Sequence, residues 1–478
     1  MPATRPVSGW FAAAGDAMPA PRPPLDGDAT VDVCIVGGGY TGLWTAYELR
    51  RADPSLDVLV VEREVCGFGA SGRNGGWVQG HLAGDPRTWR RRGGPAGAAA
   101  LERAIGATVD EVGAVVTREG IACDWHAGGT LMVAQTEAEE RRLRTLVAGA
   151  NAHRDLPEGE GWLDAEGLAA RVRVRGGRRA WWSPLCARVQ PAALARGLAA
   201  AVERAGARIV EGTTALELRP APRGRATAGG RDGHPASVVT DHGTVRARWV
   251  VRATEGYTAG LPGSRRALAP IGSTMILTEP LGADRWAAIG WDGAETILDG
   301  GLLYHYLQRT ADGRIAIGGR GVPYRWGSSS AREDAPPAAT IAGIEAGLGR
   351  LFGDAVAGVG TAAAWHGVLG VPRDWSPGVS ADPATGIAWA GGYVGEGVAA
   401  SNLAGRTLAD LLRGERTALT ALPWVVPPGR RPRRWEPEPL RWLGIRGVHA
   451  FLGAAQEVER RRGRPTRLSD LALALSGH

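Results

Sequence analysis

The chain has 478 residues, 44% hydrophobic and 22% charged, a balance that excludes a disordered or fibrous protein and is too long for one ordinary core. Its formal charge is +7 and every one of its 56 Lys+Arg residues is arginine; their scatter in short clusters excludes a concentrated nucleic-acid surface. Four cysteines without C-x-x-C spacing argue against a metal site or a disulfide framework and for a cytoplasmic setting, and no run of about 18 apolar residues marks a membrane span.

Residues 1 to 30 are proline-rich and read as an irregular arm rather than a signal peptide. The next stretch, VDVCIVGGGYTGLW from Val31 to Trp44, opens as a strand buried on both faces and breaks into Gly37, Gly39 and Gly42. That spacing is G-x-G-x-x-G: a tight turn, a close approach to a pyrophosphate, and a helix from about Tyr40 to Arg51 packed near its strand. The helix N-terminus then faces the phosphates with its free N–H groups and positive dipole end. A second strand, DVLVVE, ends at Glu62, twenty residues past Gly42, where a carboxylate accepts bonds from an adenosine ribose and repels a 2′-phosphate. The turn alone does not separate NAD from FAD. However, GFGASGRNGGW, Gly67 to Trp77, replaces a second crossover helix with small residues and backbone donors, which suits a ligand that continues past the sheet edge.

A helical region is expected from Pro95 to Leu146, interrupted by CDWHAGGTLMVAQT, which alternates like a strand pair. Pro191 to Tyr257 reads as a return to the nucleotide fold, with a loop-like insertion at 221 to 236. Residues 265 to 365 hold the alternating strands STMILTEP, LLYHYLQRT and RIAIGGRG, a sheet suited to a substrate. AGGYVGEGVAASN then repeats the opening logic, with glycines at 391, 392, 395 and 397 ahead of a helix. If both glycine turns grip one ligand, the nucleotide domain is discontinuous.

VCIVGGGYTGLW, VVERE and GFGASGRNGG together resemble the FAD-dependent oxidoreductases of the D-amino-acid oxidase, glycine oxidase and sarcosine oxidase superfamily, above all its γ-glutamylputrescine oxidase-like branch. The likeness continues through Val189 to Leu218, Trp249 to Thr258, Asp312 to Gly321, Gly367 to Val379 and Thr385 to Leu412, in order. It implies an α/β fold (α+β overall): a discontinuous Rossmann-like FAD-binding domain at 31–80, 185–260 and 366–415, and a second, antiparallel-sheet substrate or cap domain at 81–184 and 261–365. The arm at 1–30 and a Pro/Trp/Arg-rich tail at 416–478 lie outside both.

The resemblance also assigns residues. Gly37, Gly39, Tyr40, Thr41, Gly42, Glu62 and Arg63 take the ADP-binding positions. Ala70, Ser71, Gly72, Arg73, Asn74 and Gly75 run under the pyrophosphate and flavin ring. Ala215, where relatives have valine, touches the adenine through its backbone, and Ala253 and Thr254 close the strand beside it. Gly392, Gly395, Glu396, Gly397 and Val398 bring the second helix dipole to the flavin N1–C2=O edge. Some relatives attach flavin through a histidine in the segment GASGRNGG; this chain has none there, so non-covalent FAD is expected, with Cys66 the alternative attachment point.

The implied reaction is oxidation of the C–N bond of an amine or amino acid: the carbon gives a hydride equivalent to flavin N5, and the imine is hydrolysed by water. O2 is the expected acceptor, giving H2O2. Relatives commonly assist that step with a lysine, which this chain lacks entirely, so a non-oxygen acceptor is the alternative. A flavoprotein binding module for an anionic partner is the distant one. Candidate substrate-side residues are Tyr304 and Tyr306, which alternation puts on one face with His305 on the other; Arg320, for a substrate carboxylate; and His366, where relatives carry glycine, as base or oxygen-assisting cation.

Overall fold

The apolar run at Ala29–Val36 is divided by alternation: Val33 and Ile35 enter one core, while Cys34 and Val36 enter another on the opposite face. A computed structural model, describing residues 7–13, 20–150, 156–222, 236–322, 324–329, 335–430 and 432–476, sets this strand in the middle of an eight-stranded sheet. Its parallel neighbours are Val58–Val61 on one side and Gly243–Arg252 on the other, followed outward by Arg208–Val210 and Ile387–Gly391 respectively. Gly378–Asp382 closes one edge antiparallel; Ala236–Thr240 pairs antiparallel with Gly243–Arg252, and Ala215–Arg219 pairs antiparallel with Ala236–Thr240.

The two glycine turns therefore leave adjacent parts of one sheet at the same, C-terminal, edge. Helix Tyr40–Ala52 follows the first turn and helix Gly397–Arg413 the second. The helices lie close together because position 405 is glycine: a Cβ there would stand 2.7 Å from the Trp44 backbone carbon.

The second sheet also has eight strands, in the order Thr361–Val371, Ala269–Thr278, Ile315–Val322, His305–Arg309, Thr296–Asp299, Thr130–Ala134, Arg179–Ser183 and Gly161–Leu163. All pairs are antiparallel except Thr296–Asp299 with Thr130–Ala134. One face packs Ile276, Ile317 and Leu307 against helix Ala338–Phe352. The other face carries Met275, Ala316 and Trp365 toward the nucleotide domain. A two-stranded ribbon, Trp77–Gln79 with Cys186–Arg188, lies between the sheets.

Several boundaries differ from those expected. The arm contains the helix Gly9–Ala13, with Trp10 and Phe11 buried, because its apolar residues have a groove to fill between the domains. CDWHAGGTLMVAQT supplies one strand rather than a pair. Helix Pro86–Arg118, placed by sequence with the substrate domain, buries Leu101, Ile105, Val109 and Val112 in the nucleotide-domain core, since an apolar stripe does not specify which core it joins. The boundary at 366 falls inside a strand of the substrate sheet. Most of the insertion at 221 to 236 lies outside the described residues. The tail forms helices Leu440–Arg462 and Arg467–Ser476. It is anchored by Trp435, whose Nε1 donates to Val371 O at 2.7 Å, and by Arg441, 2% exposed and bonded to Glu438 at 2.8 Å and Arg265 O at 2.9 Å. Among the described residues no helix is long and apolar enough to cross a membrane.

Candidate active site

The first turn has the geometry of a phosphate cradle. Gly37 has φ 113°, and a Cβ there would meet Ala253 O at 2.6 Å; a Cβ on Gly42 would meet Gly37 O at 2.0 Å. Backbone thus occupies the space side chains would need. Ser71 Oγ accepts the Tyr40 N–H at 2.8 Å, which joins the helix start to the second small-residue stretch. Glu62 Oε2 accepts the Gly38 N–H at 2.7 Å, and burial pushes its carboxyl above the ordinary range. Arg63 is exposed and stacks on Tyr257, 5.2 Å from the ring centre. Ala215 opens its hairpin strand, and Thr254 Oγ1 lies 2.8 Å from Thr258 Oγ1.

Residues 67–76 are held by their own side chains. Asn74 Nδ2 donates to Ser71 O at 2.7 Å and Ala70 O at 3.1 Å, while its Oδ1 accepts the Gly76 N–H at 2.7 Å. Arg73 is buried; its Nε donates to Phe68 O at 2.7 Å and one terminal nitrogen to His366 O at 3.3 Å. These two side chains shape the backbone, and the backbone is what remains for a ligand. Cys66 is buried at the Glu62 end, 2.9 Å from where a Gly38 Cβ would stand, and desolvation beside Glu211 and Glu62 holds its thiol well above the usual range.

At the second turn Gly391, Gly392 and Gly395 all have positive φ, and no side chain caps the helix that starts at Gly397 after Glu396. Val398 is buried in the first turn of that helix. Tyr393 reaches across to the first turn, its hydroxyl 3.0 Å from Thr41 Oγ1. Glu255, in the left-handed region at φ 39°, accepts the N–H groups of Gly392 at 2.8 Å and of Gly370 and Tyr393 at 3.3 Å. Burial raises its carboxyl to about 7 despite these bonds and the Arg252 guanidinium. Sequence reading passed over Glu255 and Tyr393, because their partners lie more than a hundred residues away.

The substrate sheet meets the small-residue stretch edge to face. Tyr306 lies against Gly75, where a Cβ would be 2.8 Å from its ring; its hydroxyl is 2.7 Å from Ser273 Oγ and its ring is T-shaped to Trp77 at 6.2 Å. Gln308 Nε2 donates to Gly75 O at 2.6 Å. Tyr304 directly precedes the strand. His305 turns to the opposite face and binds Asp299 at 2.6 Å, which marks it as structural. Arg320 sits opposite Ser273 in register, but its side chain lies outside the described residues. His366 pairs with Thr274, between Trp365, whose Nε1 donates to Arg73 O at 2.9 Å, and Gly367, whose Cβ position is 3.2 Å from Arg73 Cβ. Alternation therefore turns the His366 ring away from the segment its two neighbours face. The structure brings together Gly75, Tyr306, Trp77 and Ser273, and leaves His366 on the far side of the sheet.

Two glycine turns at one sheet edge, an acid at the end of the second strand and a helix start without a side-chain cap fit an FAD whose ADP end lies on the first turn. The family model described as "FAD dependent oxidoreductase" (DAO) matches residues 32–411. Gamma-glutamylputrescine oxidoreductase of Escherichia coli (strain K12) is 30% identical over 444 residues, 90% of this chain and 95% of that protein. Probable oxidoreductase OrdL of Rhizobium meliloti (strain 1021) is 27% identical, over 84% of this chain and 87% of that protein. In fold, the chain resembles glycine oxidase from Geobacillus kaustophilus, with a TM-score of 0.64 and 22% identity over 82% of this chain and 96% of that one. It likewise resembles L-proline dehydrogenase from P.horikoshii, with a TM-score of 0.65 and 16% identity over 84% and 98%.

Proposed function

The chain belongs to the DAO family of FAD-dependent oxidoreductases, and from that premise we propose that it oxidises the C–N bond of an amine or amino acid, with O2 as the electron acceptor. One observation carries the reading: the aromatic face of the substrate sheet, Tyr306 with Ser273, lies directly on Gly75 in the stretch assigned to the flavin. A substrate carbon bound there would be presented to an FAD held along that stretch. Bound FAD supplies the two-electron chemistry.

The protein's part is placement and charge. Tyr306 and Trp77 form an apolar, edge-to-face wall that orients an alkylamine, and Tyr306 Oη with Ser273 Oγ offers a hydrogen-bonding point at its rim. The N-terminus of helix Gly397–Arg413 would, with FAD bound, stabilise negative charge developing on the flavin. No protein nucleophile is required. FAD is held without a covalent bond in this reading: the Cys66 thiol is protonated and sits at the Glu62 end, and GASGRNGG contains no histidine.

A second reading keeps the chemistry and replaces oxygen by a quinone or protein acceptor, and the absence of any lysine favours it. An anaerobic absorbance scan, titrated with polyamines, N-methyl amino acids and amino acids and followed by air, tests both. Bleaching restored by air supports the oxidase; bleaching that persists in air and reverses with an added quinone supports the second reading. A flavoprotein that none of these amines bleaches refutes both.

A further inference from the structure

Three consecutive carbonyls of the flavin-assigned stretch are fixed from outside it. Ser8 Oγ donates to Gly72 O at 2.7 Å, Trp365 Nε1 to Arg73 O at 2.9 Å and Trp10 Nε1 to Asn74 O at 2.8 Å. Two of the three donors belong to the arm upstream of the first strand. In a trans peptide the N–H points opposite to the C=O, so holding the Arg73 and Asn74 carbonyls aims the N–H groups of Asn74 and Gly75 the other way. Among the described residues neither of those N–H groups has an acceptor. They are two aligned donors on the side away from the tryptophans.

The arm itself is firmly seated. Phe11 is fully buried, and a Cβ on Gly72 would stand 2.6 Å from its ring. Trp10 is T-shaped to Trp365 at 5.8 Å, and Gln190 Nε2 donates to Trp10 O at 2.7 Å. Farther along, Arg22 pairs with Glu211 at 2.9 Å and with Glu203 at 2.6 Å, while the same Glu211 accepts the Cys66 N–H at 2.7 Å where the stretch begins. Both ends of residues 66–74 are thus tied to one upstream segment.

We propose that this N-terminal segment is a cofactor strap: Trp10, through the Asn74 carbonyl, aims the Gly75 N–H toward FAD, while Ser8 and Phe11 seat the stretch at Gly72, so that FAD retention depends on the arm. The strap acts on the cofactor whichever amine is oxidised, and its residues are positioning residues rather than catalytic ones.

The test uses the full-length protein with Ser8→Ala and Trp10→Phe combined, which removes both hydrogen bonds and keeps most of the packing. The equilibrium constant for FAD is read from flavin fluorescence recovered on dilution, and the melting temperature of the FAD-free protein is read alongside. The expected result is an FAD Kd raised about tenfold, the size of two modest hydrogen bonds, with the FAD-free melting temperature nearly unchanged. A second measurement needs no variant: by linkage, adding FAD to the wild-type protein slows amide exchange across residues 8–12 by a comparable factor. A Kd within twofold of wild type, or arm exchange indifferent to FAD, overturns the proposal.

Discussion

Glu255 ties the second glycine turn to the substrate sheet through three backbone N–H groups, and burial holds its carboxyl at about 7. The folded state therefore keeps its proton between the ordinary glutamate range near 4.5 and about pH 7, whereas the unfolded chain has released it. Where the folded state binds more protons, unfolding free energy falls as pH rises. The contribution is intact below about pH 4.5, is lost progressively up to about pH 7, and is level above. At 1.36 kcal/mol per tenfold in acidity the loss has a ceiling of about 3 kcal/mol, reduced by the solvent that reaches this half-buried side chain. With an unfolding entropy near 2 cal/mol/K per residue, that is about 3 °C in melting temperature for a chain of this length. Glu255→Gln mimics the protonated acid and cannot titrate. Melting FAD-free wild type and variant from pH 4.5 to 8, and taking the difference, isolates the residue: the wild type loses ground steadily through the window. A wild type that gains on the variant with rising pH would refute the reasoning, because it would mean that the three N–H bonds outweigh desolvation and keep the group ionised.

Gly42→Ala forces a Cβ to within 2.0 Å of Gly37 O, a backbone atom that cannot swing aside, so the purified variant carries little or no flavin by its visible absorbance. A variant as yellow as wild type would show that the turn adapts. Tyr306→Phe loses the bond to Ser273 and lowers kcat/KM less than tenfold, while Tyr306→Ala, which empties the space against Gly75 and Gly318, lowers it far more in steady-state assays with the amine identified by bleaching. Equal effects of the two would make the hydroxyl, not the ring, the working group. Arg441→Ala removes the guanidinium from Glu438 and Arg265 O, leaves Glu438 with Tyr324 and the Gly327 and Trp442 N–H groups, and costs about 2 kcal/mol, seen in hydrogen exchange as loosening of helix Leu440–Arg462. Unchanged protection there would mean that Trp435 alone anchors the tail.

The parts of this protein legible in its sequence are those whose physics is local. Val31 to Glu62 could be read because strand, turn, helix and acid follow one another directly along the chain and Gly42 answers to Gly37, although Gly37 itself makes room for the distant Ala253. The alternation that separates Tyr306 from His305 is equally local. What stayed hidden depends on which distant surface an element meets. His366 was a candidate because relatives carry glycine at its position, yet its role turns on the strand's parity, and parity has meaning only once Trp365 and Gly367 are seen to face Arg73. Glu255 is one acid among 49 acidic residues until residues 370, 392 and 393 fold over it. The arm shows the same limit in reverse. Its prolines suggested irregularity, which is a statement about the arm alone, whereas Ser8, Trp10 and Phe11 take their order from the groove between two sheets that are assembled from residues far downstream. A backbone carbonyl held by a tryptophan sixty-four residues earlier has no sequence signature, since the pattern that specifies it is shared between two segments and complete in neither.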